Sequence, residues 1–261
     1  MILERVREIR ASHPRLGTRK MFYMLEAFLK DNDVKMGRDQ LFSLMAENKM
    51  LIRTRIRKVS TTYSQHWLRK WPNLIKGKVI ERPNQLWVSD ITYWRIKERF
   101  VYISLITDAY SRKIVGYNLS ETLDTLSSCK ALVMALNAQK IEKDLIHHSD
   151  RGVQYCSNDY VKLLQDNKIQ ISMTESGDPR DNAIAERING ILKNEYLYKY
   201  KPGSLSQALY VLQKSIYLYN HQRPHLSINL NTPEFAHKNT ILAKRKWRTY
   251  FKKHPVNVFQ D

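Results

Sequence analysis

A chain of 261 residues with 44 Lys and Arg against 25 Asp and Glu carries a formal charge of +19, and it is long enough for one substantial core with one or two small flanking modules. Such a surplus draws polyanions, and release of condensed counterions makes nucleic acid the expected partner. No run of about 18 apolar residues is present to span a bilayer, and the opening MILERVREIR is too charged for a secretory signal. The expectation is a cytoplasmic protein with no membrane partner. Cys129 and Cys156 are the only cysteines. They form no C-x-x-C pair, which predicts reduced thiols, and the four-ligand spacing of a structural zinc site is missing.

Residues 1–60 read as short helices. Ile2, Val6 and Ile9 fit a 3.6-residue period, as do Phe22, Leu25 and Leu29, and then Leu41, Leu44, Met45 and Met50. Gly17-Thr18 interrupts the first two helices and offers the second an N-cap, and Gly37-Arg38-Asp39 introduces the third. These features predict a small helical module of helix-turn-helix character. From Lys49 to Lys78 there are nine basic residues and no acidic one, with Tyr63, Trp67 and Trp71 among them. Residues 61–82 are expected to be a linker. Two readings of this basic run stay open: a solvated connection, or an arm that tracks DNA through Arg53, Arg55, Arg57 and Lys58 while aromatics stack on bases.

The period changes after Pro83. Leu86–Arg95, Phe100–Thr107 and Lys113–Leu119 are rich in β-branched and aromatic residues and predict an antiparallel meander. A helix over Thr122–Gln139, a strand over Leu145–Ser149, a helix over Asn158–Gln165, a strand over Ile169–Ser172 and a helix over Asp181–Tyr196 come next. Periodicity alone gives an α/β class. The order of the elements is similar to that of a ribonuclease H-like fold, a mixed five-stranded sheet with flanking helices over residues 83–200. Residues 201–261 are expected to form a helical extension and a basic tail, in which Leu209, Leu212, Ile216 and Tyr219 share a helix face. The tail has seven basic residues between Glu234 and Asp261, Lys244, Arg245, Lys246 and Arg248 among them.

Three carboxylates fall where such a fold would gather them. Asp90 lies within WVSDITY on the first strand, Asp150 ends the fourth strand within HHSDRG, and Glu186 opens the last helix within DNAIAER. A carboxylate between Val88 and Ile91 is costly to bury unless it is paired or metal-bound. Displacement at phosphorus builds negative charge on both the attacking and the leaving oxygen. Two Mg²⁺ ions about 3.5–4 Å apart stabilise both, held by a few hard oxygen ligands, with Mn²⁺ as a substitute. Without metal the three carboxylates repel, which raises at least one pKa. Asp108 in ITDAYSR is read as a structural strand-end residue. His147 and His148, adjacent on a strand, are read as packing residues.

Between the aspartates lie 59 residues and between Asp150 and Glu186 lie 35. That spacing, inside W-x-x-D-I-T-Y, H-H-S-D-R-G-x-Q-Y and D-N-A-x-x-E, resembles the D-D-E transposases and the retroviral integrase core. More narrowly, it resembles the bacterial transposases named for insertion sequence three. Gly17-Thr18-Arg19 stands where that family often has Gly-Tyr-Arg, and YLYNHQRPHLSINLNTPEF over 217–235 resembles its C-terminal signature. The resemblance implies a metal-dependent enzyme that cuts and joins DNA, with Asp90, Asp150 and Glu186 as catalytic metal ligands. It also implies a homo-oligomer on element-end and target DNA, in a bacterial nucleoid. Lys193 matches a basic residue seven positions after the glutamate, and nearly two helical turns put it on the face of Glu186 and Asn182. Lys193, Asn182 and Arg223 join the arm residues as expected DNA contacts. Arg187-Ile188-Asn189 departs from the more common Ser-Phe-Phe, and Glu175 stands where a basic residue is frequent. No heptad run appears, so the chain reads as a second-frame product that is fused to, or associates with, an upstream one. Two alternatives stay open: a non-catalytic DNA-binding regulator of transposition, and a ribonuclease H-like nuclease.

Overall fold

The computed structural model describes residues 1–52, 66–139, 141, 144–175 and 182–239. Arg53, Arg55, Arg57 and Lys58 of the expected arm, and Lys244, Arg245, Lys246 and Arg248 of the tail, lie outside the described residues.

Three helices open the chain: α1 (Ile2–Ser12), α2 (Thr18–Asp31) and α3 (Arg38–Glu47). Their apolar stripes meet in one cluster, Val6 and Ile9 against Met21, Leu25 and Leu29, closed by Leu16, Leu41 and Met45. On α2 the buried row steps by four from Met21, and Phe22 is only partly covered. Gly17 is itself the N-cap of α2, with no side-chain cap. At the start of α3, Gln40 Oε1 accepts a hydrogen bond from the Gly37 N–H at 2.7 Å.

The sheet holds β1 (Leu86–Ile96), β2 (Arg99–Asp108), β3 (Ile114–Ser120), β4 (Ile146–Ser149) and β5 (Gln170–Met173) in the order β3-β2-β1-β4-β5. The first three are antiparallel neighbours, whereas β4 and β5 add in parallel on the far side of β1. Parallel pairing requires crossovers. Helix α4 (Thr125–Ala138) connects β3 to β4, and α5 (Val153–Cys156) with α6 (Asn158–Asp166) connects β4 to β5. Helix α4 begins later than the apolar pattern suggests, because Asp124 caps it by accepting from the Ser127 N–H.

Both faces of the sheet are covered, so β1 opens with four buried residues in a row rather than an alternation. On one face Trp87, Ile106 and Val115 pack against Ala131, Leu132 and Ala135 of α4 and Tyr160 and Leu164 of α6. Gly116 of β3 permits that approach: a Cβ there would stand 2.2 Å from the Ala131 carbonyl oxygen. On the other face Trp94, Ile103 and Leu105 meet α7 (Ala183–Ile191) and α8 (Leu205–His221) through Ile188, Leu212, Ile216 and Tyr219. Leu209, expected on the same stripe, is 37% exposed. The chain then ends its described part with α9 (Pro233–Lys238), capped by Thr232.

Two features differ from the sequence expectation. The last core helix is not uniform: α7 runs into a π turn at Leu192–Tyr196 and a 3₁₀ turn at Leu197–Lys199. The expected linker is not a bare tether over its described part. Pro72 O accepts from the Met173 N–H and Ser172 Oγ from the Leu74 N–H, which lays this stretch along the β5 edge. Leu68 and Trp71 pack on the core while Trp67 stays 90% exposed. Among the described residues no helix is long and apolar enough to cross a membrane.

Candidate active site

The register of β1 and β4 brings two of the three carboxylates together. Trp87 pairs with His147 and Val88 with His148. Asp90 and Asp150 each lie two residues beyond that last pair, close enough for the charge of Asp150 to be felt at Asp90. Helix α7 crosses from the other side of β1 and carries Glu186, exposed, in its first turn.

Each aspartate is held by backbone and amide donors. Asp90 Oδ1 accepts from the Ile91 N–H at 2.9 Å, and its Oδ2 accepts from Asn189 Nδ2 at 2.7 Å. Asp150 Oδ1 accepts from the Gly152 N–H at 3.0 Å. A Cβ at Gly152 would stand 3.0 Å from that same oxygen, so glycine leaves the carboxylate its place. The Asp90 carboxyl is pushed up to about 7, first by burial and next by the charge of Asp150, with a smaller push from Glu186. The two hydrogen bonds pull the other way and are outweighed. Three carboxylates thus share one field.

Asn189 was not singled out by sequence reasoning, which noted it only as a departure from a family pattern. The available signal was helical: three residues after Glu186, it lies on the α7 face turned to β1. Asn182 is the N-cap residue of α7, buried, and its Nδ2 donates to the Ser89 carbonyl at 2.9 Å. It ties the start of α7 to β1. Lys193 lies in the π turn, half-buried, with Nζ 3.9 Å from the centre of the Tyr93 ring. Burial lowers the Lys193 pKa, against an opposing pull from Asp90.

The expected DNA contact at Arg223 is corrected by its surroundings. It is 1% exposed, and its Nε and Nη2 donate to the two carboxylate oxygens of Glu195, each at 2.8 Å. A guanidinium spent on a buried carboxylate presents no face to a phosphate. His147 and His148 point to opposite faces of β4. His147 Nε2 meets Ser89 Oγ at 2.6 Å and Tyr160 OH at 2.9 Å, whereas His148 Nδ1 meets Ser172 Oγ at 2.8 Å. Burial pulls the His147 pKa down to about 3, with a further push from His148. Together these contacts form a buried polar floor that ties β4 to β1, α6 and β5. Asp108 accepts from Ser111 N–H, Ser111 Oγ and the Asn84 N–H at 2.6–2.7 Å, and so braces the β2–β3 turn.

Among the described residues no three His, Cys, Asp or Glu side chains close into a ready-made metal cage. The donor chemistry still fits a hard divalent cation. Asp90 and Asp150 offer only oxygen, where β4 ends beside the middle of β1, and their mutual repulsion adds to the burial that raises Asp90.

The integrase core domain family matches residues 80–179, and a second family of the same description matches residues 167–233. The uncharacterised 31 kDa protein of insertion element IS600 from Shigella sonnei is 36% identical over 243 residues, covering 90% of this chain and 88% of that protein. The transposase for insertion sequence element IS629 from the same organism is 34% identical over 72% of this chain, and the match spans 62% of its own length. For transposase InsF of insertion sequence IS3A from Escherichia coli the identity is 37% over 52% of this chain and 48% of that protein. The chain therefore matches about half to three-fifths of the length of these two transposases. Among solved structures, a chain of the simian T-cell lymphotropic virus intasome, in complex with a PP2A regulatory subunit, superposes with a TM-score of 0.54 at 19% identity. That match covers 74% of this chain and 66% of the other, and it identifies the fold as ribonuclease H-like.

Proposed function

Because the chain belongs to the insertion-sequence transposases named for insertion sequence three, with their integrase core, we propose that it cuts and joins DNA at Asp90, Asp150 and Glu186. The observation that carries this reading is the shared field of the three carboxylates, which together with burial holds the Asp90 carboxyl near 7. The structural carboxylates of this chain are satisfied from within, Glu195 by Arg223 and Asp108 by Ser111 and the Asn84 N–H, whereas two hydrogen bonds leave the Asp90 carboxyl raised.

Asp90 and Asp150 would hold a divalent ion, and Glu186 would complete a second site from α7. Two Mg²⁺ or Mn²⁺ ions bound there supply activation of the attacking oxygen and neutralisation of the leaving one. The protein does the rest. Asn189 and the Ile91 N–H orient Asp90, the Gly152 N–H orients Asp150, and the buried His147 floor keeps β1 and β4 in register. Lys193, pinned beside Tyr93 within the field of Asp90, holds a DNA phosphate at the site. Water serves as nucleophile for cleavage and a DNA 3′-hydroxyl for joining. The front module and the basic run supply charge for binding DNA. Two ends must meet, so the working form is an oligomer on DNA, and the upstream reading-frame product joins it.

Incubation of the purified chain with Mn²⁺ and labelled DNA carrying its element's end, beside Glu186→Gln, tests this. Metal-dependent nicking or joining that the variant lacks supports the reading. Equal activity in both proteins removes Glu186 from the site.

A further inference from the structure

The α1–α2 connection and the first turn of α2 dock against the far end of the helix that carries Glu186. His13 Nδ1 lies 3.0 Å from Tyr196 OH, the Arg15 guanidinium sits 4.9 Å from the centre of the Tyr198 ring, and Lys20 Nζ lies 3.4 Å from Glu195 Oε1. All three partners fall within or just beyond the π turn that also carries Lys193. The front module therefore touches the catalytic helix at its one irregular segment.

Lys20 is the unusual member. It is 8% exposed, and burying an ammonium is expensive unless it gains a partner of its own. Glu195 is already served on both oxygens by Arg223 at 2.8 Å, a better geometry than the 3.4 Å of Lys20. Burial and the charge of Arg223 pull the Lys20 pKa down to about 8, with Arg187 adding to the repulsion and Glu195 opposing it. An apolar side chain of the same length would sit there at lower cost. What it would not provide is an attraction to one particular point of the π turn. Wide turns of this kind occur mostly as single turns inside helices, frequently at functional sites. Holding one open requires contacts that specify it, and beside the His13–Tyr196 contact Lys20 supplies the charged one from the front module.

We propose that Lys20 is a positioning residue, coupling the DNA-binding front module through Glu195 to the π turn and so setting Lys193 beside Asp90. The proposal rests on the transposase reading for its consequence, but the coupling itself does not depend on it.

The test uses the full chain with Lys20→Met, Lys20→Gln and Lys20→Arg. Amide hydrogen exchange is followed over residues 192–199, alongside the melting temperature. In Lys20→Met and Lys20→Gln, exchange in that segment rises roughly tenfold while the rest of the core and the melting temperature hold. Lys20→Arg stays close to wild type. In the DNA-end cleavage assay with Mn²⁺, Lys20→Met lowers kcat on the order of tenfold or more with KM within twofold, and Lys20→Arg restores it. Unchanged exchange over 192–199 overturns the coupling, as does a loss of protection throughout the chain in both neutral variants, which would make Lys20 ordinary packing. A rise in KM at constant kcat overturns it too, in favour of a direct phosphate contact. If the wild-type chain does not cleave, the functional reading fails, and the exchange data still decide the coupling.

Discussion

Two buried carboxylates near the same helix have opposite electrostatic fates. Glu195, in the π turn, is held below the usual carboxylate range, because Arg223 and Lys20 outweigh the cost of its burial. Asp90, on β1, is pushed up to about 7 because burial and Asp150 outweigh two good hydrogen bonds. The chain's own cations neutralise Glu195, whereas at Asp90 burial comes first and the charge of Asp150 adds to it, with no cation to outweigh them. Internal compensation marks a joint that folding completes. A carboxyl raised by its neighbours marks a place where positive charge is wanted from outside the chain. The pKa direction separates the two where burial alone does not.

The comparison breaks first at catalysis. Asp90→Ala should abolish strand cleavage while circular dichroism stays unchanged, and a variant that still cleaves would remove Asp90 from the reaction. Next comes the compensated joint. Arg223→Met leaves Glu195 buried with only Lys20 beside it, and a urea melt should show a loss of about 3–5 kcal/mol. Asn189→Leu removes the amide that orients Asp90 and should cost about 10–100-fold in metal affinity or activity, read by calorimetry with Mn²⁺.

The smallest effect is the most diagnostic. In EDTA, the folded chain keeps a proton on Asp90 up to about pH 7, whereas an unfolded aspartate releases it near 3.8. Between those values the folded state binds more protons, so this group makes stability fall as pH rises. Asp90→Asn should therefore melt a few degrees higher than wild type at pH 8, with the advantage gone by about pH 4. Mg²⁺ should reverse the order at pH 8 by stabilising only the wild type. Identical melting curves for the two proteins across that range would mean that the carboxylates do not share a field.

Much of this architecture was legible in the sequence. Strand boundaries followed the β-branched runs to within a residue or two, because local patterning dictates them. The two aspartates could be placed because the element order resembles a ribonuclease H-like fold, in which the first and fourth strands are neighbours, as they are here. Asn189 and Arg223 were harder, since their roles depend on partners 99 and 28 residues away. Arg223 read as a surface cation because arginine usually is one, and only the packing of α8 against the π turn reveals the carboxylate waiting for it. Gly116 gave no periodic signal either. Its importance lies in the volume of a helix whose Ala131 comes fifteen residues later, and neither turn chemistry nor strand propensity announces that.

The π turn at Leu192–Tyr196 also has a consequence for chain length. An α-helix advances by about 100° per residue, so the extra residue accommodated in a wide turn acts as a phase shift between the helix before it and the segment after it. Glu186 and Asn189 belong to the earlier phase, and Glu195, Tyr196 and Tyr198 to the later one. Deleting Asn194, an exposed residue, would leave the first group aimed at β1 while swinging the second away from Arg223, His13 and Arg15. The helix thus works like a gear with one added tooth, and the length of this segment is constrained to the single residue even at positions whose side chains touch nothing essential.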